Sequence, residues 1–274
     1  NPVSGLFVEI QENADKDNNY AYLRDSLYVS YALYIAAVSL RNDPKANYYK
    51  LQATKSMRSC LTSLMRQSSK IQSFKLNQEV SYGLSTVFDP ETGFVINSHP
   101  NNGLLILDDI ALFLLILCQL VTGKLQICYT NDDVDFCQNL VYYLERAYRV
   151  ADHGPHEEVV PITSIVADQK KSLHSSTIGL AKAALEAAYQ CNLFGIYGTH
   201  STKLHVDPDA HNRNRMTLES LLPRQSVEKK TDACLSIIVG FPCWAIDDEE
   251  LLMKTIESCV SESSSFQSSR TYSA

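Results

Sequence analysis

At 274 residues, with 45% apolar and 20% charged side chains, the chain is long enough to bury a large core as one domain or two modest ones, which excludes a disordered or fibrous class. A formal net charge of −7 argues against nucleic acid or an anionic lipid surface as partner, because both demand clustered Lys and Arg. The eight cysteines (Cys60, Cys118, Cys128, Cys137, Cys191, Cys234, Cys243 and Cys259) contain no C-x-x-C and mostly sit inside apolar runs, the usage expected of reduced, buried thiols in a cytosolic protein.

The chain opens N-P-V-S-G, with neither an initiator Met nor a basic start followed by an apolar run. No signal peptide is expected, and the start reads as internal to a longer chain. A helix is predicted over Tyr20–Arg41, with apolar residues at Leu23, Leu27, Tyr31, Tyr34 and Val38 and a second set at Val29, Leu33, Ala36 and Leu40. Such a helix is buried on most sides. Its polar residues gather in the first turn, Arg24, Asp25 and Ser26, where a site or a plain cap with a surface ion pair are both open readings. A second helix is expected from Lys45 to Gln67, followed by an irregular polar excursion over Ser68–Pro100 in which D-P-E-T-G (Asp89–Gly93) forms a turn between Val87-Phe88 and Phe94-Val95-Ile96.

The most apolar run is Leu104–Val121. Its uninterrupted part after Asp109 falls short of the roughly 20 residues a spanning helix needs, so it reads as a buried core helix with Asp108 and Asp109 at its start. A fourth helix is expected over Asp133–Val150 with Asn131, Asp132 and Asp133 as possible caps, a fifth over Ser175–Gln190, rich in Ala and so able to pack closely, and a sixth over Asp209–Leu222. His211, Arg213 and Arg215 near the start of the sixth read as a solvated face. Ser236–Phe241 is expected as a short strand or buried turn, and Asp247–Val260 as a seventh helix. The Ser-rich end, residues 261–274, is expected to be a disordered tail, with residues 1–260 forming one helical domain.

The densest set of possible ligands, acids and bases is the break Ala151–Glu158, A-D-H-G-P-H-E-E, with His153, His156, Glu157 and Glu158. Three readings compete: a metal site built on H-x-x-H-E, the carboxylate acid of a hydrolase, or an ordinary solvated loop. The metal reading fares poorly, because the two histidines lie three apart in a stretch broken by Gly154 and Pro155, whereas a zincin pair needs i, i+4 spacing on a continuous helix. No metal and no cofactor is expected. Helical hairpins with polar residues at the starts of apolar helices suggest a ring in which Arg24, Asp25, Asp108 and the Glu157 loop converge at one rim.

Four runs then carry a family resemblance: N-P-V-S-G-L-F (Asn1–Phe7), R-D-S-L-Y (Arg24–Tyr28), Q-N-L-V-Y-Y-L-E-R-A-Y-R-V (Gln138–Val150) and L-H-S-S-T-I-G-L-A-K-A-A-L-E-A (Leu173–Ala187). They resemble the alpha and beta regulatory subunits of phosphorylase kinase. D-A-H-N-R-N-R-M-T-L-E-S-L-L-P-R (Asp209–Arg224) is similar to the beta type in particular. The resemblance implies an all-α fold of glucoamylase-like (α/α)6 toroid type, of which this chain supplies about half the helices.

It also implies vestigial glycan-site positions. In related hydrolases a W-x-R-D motif and a Q-x-D motif bind sugar and a W-E motif supplies the general acid. Arg24 and Asp25 stand at the first with Tyr22 for Trp, Asp108 at the second with Ile106 for Gln, and Glu157 at the third with His156 for Trp and Glu158 for the Arg of W-E-R-G. A chargeable His156 beside the acid would lower a pKa that general-acid catalysis needs raised. Inverting hydrolysis also needs a second carboxyl roughly 6.5–9.5 Å away, which in the hydrolases comes from later in the barrel. No catalytic residue is therefore expected.

The implied role is a regulatory, non-catalytic subunit in glycogen metabolism that restrains a kinase catalytic gamma subunit in a complex with alpha subunits and calmodulin (delta). The contrasting reading is a glucoamylase-like glycoside hydrolase or a module that binds an oligosaccharide. The resemblance implies a cytoplasmic location, with association at the inner face of the plasma membrane through a prenyl group. The family's calmodulin-binding and prenylation features belong to later parts of the full-length subunit, and this chain ends T-Y-S-A without a C-a-a-X box.

Overall fold

A computed structural model describes residues 4–8, 20–40, 42–99, 102, 104–154 and 171–270. Helices dominate: α1 (Leu23–Ser39), α2 (Lys45–Met65), α3 (Ser68–Asn77), α4 (Leu107–Thr122), α5 (Asn131–Leu144), α6 (Ser175–Ala188), α7 (Pro208–Leu221), α8 (Ser236–Val239) and α9 (Glu249–Arg270). Two short strands, β1 (Ala21–Tyr22) and β2 (Val87–Phe88), pair antiparallel with Ala21 opposite Phe88. Packing follows a chain of hairpins: α1 lies on α2 and α4, α4 on α5 and α6, α6 on α7 and α8, and α8 on α9. This is the open arc of an (α/α) toroid, with α1, α4 and α6 side by side.

The arc is organised on α4. Its side chains are buried on every side apart from Gln119 and Thr122, so L-D-D-I-A-L-F-L-L-I-L-C is apolar all round because neighbours surround it. No helix among the described residues is long and apolar enough to cross a membrane. Gly179 of α6 shows how tightly the layers meet: a Cβ there would stand 2.5 Å from the Ile238 Cγ2 of α8. The Ala-rich face of α6 permits that approach.

Local chemistry sets the helix ends. Thr130 caps α5, its Oγ1 accepting from Asp133 N at 3.2 Å while Asp133 Oδ2 accepts from Thr130 N at 3.0 Å. The cap thus falls one residue before the Asn131–Asp133 expected from sequence, with Asp133 as the reciprocal partner. Arg58 Nη1 reaches the same carboxylate at 2.7 Å and ties α2 to the start of α5. Asp207 caps α7 through Asp209 N at 3.0 Å, ahead of Pro208 in the first turn.

Three elements differ from expectation. Ser68–Asn77, expected to be irregular, is helix α3. Only Ile71 and Phe74 mark its buried face, too few for periodicity to announce it, and the decisive contact is distant: Phe74 stacks on Tyr143 of α5 with ring centroids 4.3 Å apart. Ser236–Val239, expected as strand or turn, is a single helical turn closed by Gly240 N donating to Ser236 O at 3.2 Å. Its β-branched run favours a strand locally, but among the described residues no strand pairs with it, and burial of Ile238 against α6 overrides propensity. Finally, α9 continues through Arg270, into the Ser-rich stretch expected to be a disordered tail. Serine disfavours a helix by only about 0.5 kcal/mol per residue relative to Ala, so an established helix propagates through it.

The Asp89–Gly93 turn forms as expected. Gly93 N donates to Asp89 O and Asp89 N to Phe94 O, both at 2.8 Å, and Phe88 bridges Val95.

Candidate functional site

The N-termini of α1, α4 and α6 meet at one end of the arc, each bringing a buried polar residue. Arg24 sits in the first turn of α1, where a cation is an unlikely choice for the helix dipole alone. Its position is explained by α4. Arg24 Nε donates to Asp109 Oδ1 at 2.8 Å, and its Nη2 pairs with Asp108 Oδ2. All three side chains are buried. Both carboxylates lie in the first turn of α4, where free backbone N–H groups favour negative charge, and Asp108 Oδ1 accepts from Asp109 N at 2.9 Å.

Asp152 extends the cluster from the break before α6. Its backbone pairs with Ser172 across a bridge, its Oδ2 accepts from Leu107 N at 3.3 Å and its Oδ1 from Gly154 N at 3.2 Å. Burial first, and then the Asp108 charge, raises its pKa to about 8 despite these backbone donors. At neutral pH it is a neutral carboxylic acid. His174 caps the other side as the residue before α6. Its Nε2 stands 3.9 Å from Asp152 Oδ1, and neither ring nitrogen has a hydrogen-bond partner among the described residues. Burial, then the Lys229 charge, lowers its pKa to about 4, so it too is neutral.

Gly154 explains the close fit. At φ +87° it lies flat on the His174 ring, with a Cβ there 3.0–3.4 Å from Cε1, Nε2 and Nδ1, so a side chain would meet both backbone strain and the imidazole.

The sequence-predicted residues fall out as follows. Arg24 and Asp108 are brought into direct contact. Asp25, next along α1, is exposed. Glu157, with His156 and Glu158, lies outside the described residues. His153 is engaged with backbone: its Nδ1 accepts from Leu105 N at 2.9 Å, while its own N–H donates to Leu105 O at 3.0 Å. Burial lowers its pKa. Tyr22, at the Trp position of the sugar-binding motif, places its hydroxyl 3.3 Å from His99 Nε2, and the Tyr20 ring meets His99 edge-on at 4.6 Å.

Asp152 and His174 are the functional-type residues that sequence reading did not single out. Asp152 stands one position before His153 and carried no motif, and His174 sits inside an otherwise apolar-and-serine run. Their only sequence signal was a titratable residue at each side of the same loop. As chemistry, the cluster offers one buried guanidinium matched by two carboxylates, with a neutral acid and a neutral imidazole beside it. The ion pairs fasten the start of α1 to the start of α4.

Comparison with known proteins gives consistent findings. Residues 1–273 match the family profile described as glycosyl hydrolases family 15. The chain is 38% identical to the probable phosphorylase b kinase regulatory subunit beta of Drosophila melanogaster, over 94% of this chain and 23% of that protein. It is 33% identical to the probable alpha subunit of the same organism, over 95% of this chain and 21% of that protein. Against the liver isoform of the alpha subunit from Oryctolagus cuniculus it is 35% identical, over 96% of this chain and 21% of that protein. The chain therefore spans less than a quarter of the length of these relatives.

Proposed function

The chain belongs to the glycosyl hydrolases family 15, and from that premise we propose that it acts without catalysis, as a regulatory and scaffolding segment of a phosphorylase kinase complex. The observation that carries the proposal is the buried Arg24–Asp108–Asp109 cluster. At the positions where related hydrolases hold sugar, the guanidinium is turned into the protein and neutralised by carboxylates rather than offered to a ligand. The proton-bearing acid beside it, Asp152, is equally buried and is held by backbone donors. General-acid chemistry requires the acid within hydrogen-bond reach of the leaving group, and a carboxyl walled off by Leu107 and Gly154 does not meet that requirement.

Similarity to regulatory subunits over nearly the whole chain supports the same reading. The proposal extends to partners and place: a kinase catalytic gamma subunit, alpha subunits and calmodulin (delta), in the cytoplasm. The family's calmodulin-binding and prenylation features are expected in later parts of the full-length subunit.

The direct test is co-purification from cells expressing this chain with the kinase gamma subunit and calmodulin. Recovery of the gamma subunit supports the scaffold reading, and its absence with calmodulin and alpha also supplied refutes it. A second reading is favoured by the half-buried Tyr20 and Tyr22 rings, which meet each other and the buried His99 ring edge-on at the Trp position of the sugar-binding motif. Maltooligosaccharide incubation separates the two. Binding without turnover supports a glycan-holding module, while turnover that is lost in Glu157→Gln overturns the non-catalytic assignment.

A further inference from the structure

The second half of α2 lines a pocket of about 160 Å³ together with the segment before α1 and the Asp89–Gly93 turn. Ser4 and Leu6 line it from that segment, Gly93 from the turn, and Arg58, Ser63 and Arg66 from α2 and the residue that ends it. Two cations and no carboxylate face this pocket, although the chain as a whole carries a net charge of −7.

Most of its polar groups are already engaged. Ser59 donates to Ser4 O and Lys55 O, and Thr62 donates to Arg58 O at 2.9 Å, so these hydroxyl protons are used within the protein. Arg58 shares its charge with Asp133 at 2.7 Å. Ser63 and Arg66 differ. Ser63 is only 2% exposed, yet it lines the pocket and its hydroxyl has no hydrogen-bond partner among the described residues. Arg66 donates to Thr92 O at 2.6 Å and lays its guanidinium 4.1 Å from the centre of the Phe94 ring. Among the described residues no carboxylate pairs with it. The ring and the single carbonyl hold the guanidinium in place and leave the rest of its donor fork free.

Gly93 keeps the space between these two donors open. A Cβ there would stand 2.8 Å from Ser63 Oγ and 3.1 Å from Arg66 Nη1, and the φ of +69° adds strain to any replacement. A buried hydroxyl and a held guanidinium thus converge beside a residue that has no side chain. A buried donor left without an acceptor costs free energy, which an anion in the pocket would relieve.

We infer that this pocket binds a phosphoryl group, as free phosphate or as the end of a small phosphomonoester. A tetrahedral anion presents acceptors in several directions, so the Arg66 fork can meet it on one side and the Ser63 hydroxyl on another. A planar carboxylate fits the fork alone. The volume lies below the roughly 300–1,000 Å³ of a site that encloses a whole drug-sized ligand, so the remainder of an ester would project outward. The negative end of the α2 dipole opposes an anion here, but it acts more weakly than charge-assisted bonds from a guanidinium.

The test is isothermal titration calorimetry of the full chain with inorganic phosphate, with chloride and acetate at matched ionic strength as references. Saturable binding of phosphate is expected, with acetate about tenfold weaker or more. Loss of a hydrogen bond to a charged group predicts that Arg66→Gln weakens phosphate binding about tenfold to a hundredfold, and Ser63→Ala about tenfold. Arg213→Gln, which removes an exposed guanidinium of α7, should leave it unchanged. Circular dichroism checks that each variant is folded. Should Arg66→Gln lose the turn, Arg66→Lys keeps the charge without the fork and should still bind more weakly than wild type. Glycerol 2-phosphate binding as tightly as phosphate assigns the site to an ester, and binding of phosphate alone assigns it to the free ion. The proposal is overturned by the absence of saturable binding, by acetate binding equally well, or by an affinity that Arg66→Gln and Ser63→Ala leave unchanged. Equal weakening by Arg213→Gln overturns it too.

Discussion

Replacing Asp152 with Asn should remove a specific limb of the pH dependence of stability. In the folded protein this carboxyl titrates near pH 8, raised by burial and then by Asp108, whereas in an unfolded chain it reverts to roughly 3.9. Between those values the folded state holds a proton that the unfolded state has released, so stability is lost as pH rises, by about 1.4 kcal/mol per pH unit. His174 works in the opposite sense. Its folded pKa is depressed to about 4 against roughly 6.5 unfolded, so the unfolded state binds the extra proton and stability is gained as pH rises through that interval.

Above roughly pH 6.5 the histidine is neutral in both states and only the Asp152 limb of the pair remains. From there to pH 8 the wild type should lose about 1.5 kcal/mol through this one group, the slope easing as the folded pKa is reached. Asp152→Asn cannot titrate. Its amide opposes one of the two backbone donors, Leu107 N or Gly154 N, a cost of about 1–3 kcal/mol that does not vary with pH. Urea unfolding of both proteins, followed by far-ultraviolet circular dichroism across this range, should show the variant recovering about 1.5 kcal/mol relative to wild type. A stability difference that stays constant with pH would refute the assignment of a neutral, buried Asp152.

The remaining predictions use the same measurement or hydrodynamics. Arg24→Ala leaves Asp108 and Asp109 buried without their cation and should cost about 3–5 kcal/mol. Arg24→Lys should recover only part of this, since an ammonium lacks the fork that reaches both carboxylates; recovery to wild-type stability would contradict the paired geometry. Phe74→Ala removes the α3 anchor against Tyr143 and should cost about 3–5 kcal/mol, whereas a loss within about 0.5 kcal/mol would mean that α3 is only peripheral. Ile35 and Val38 of α1, with Leu40 just past its end, leave exposed apolar side chains at one end of the arc. The isolated chain should therefore self-associate in size-exclusion chromatography with light scattering, and Ile35→Lys with Val38→Glu should shift it toward monomer. A monodisperse wild-type monomer would contradict this.

How much was legible in the sequence depended on whether the information was local. The helices α1, α2, α4, α5, α6 and α7 follow from apolar spacing along the chain, and their bounds fall within a few residues of expectation because caps and proline act on immediate neighbours, except that α5 stops at Leu144 and the expected stretch to Val150 holds a separate 3-10 turn over Ala147–Arg149. The all-α class and the buried character of Leu107–Thr122 follow from the same spacing. Family kinship was readable too, because long ordered runs of residues carry it without any knowledge of contacts. Elements stabilised from afar were not. α3 has two buried residues and a remote ring to rest on, and α8 has a strand-like composition in a place that offers no strand to pair with.

The polar positions divide in the same way. Arg24 and Asp108 stand out in sequence as charges at the starts of apolar helices, but nothing local says that they neutralise each other, or that Asp109 shares the guanidinium. Asp152 and His174 look unremarkable until the bridge between Asp152 and Ser172 and the flat face of Gly154 bring them together. The sequence by itself determined which segments become helices, which faces they bury and which family they belong to, because periodicity, capping and kinship are written along the chain. Only the tertiary structure decided which charges cancel and which acid keeps its proton, because desolvation and pairing depend on neighbours that the chain's order does not reveal.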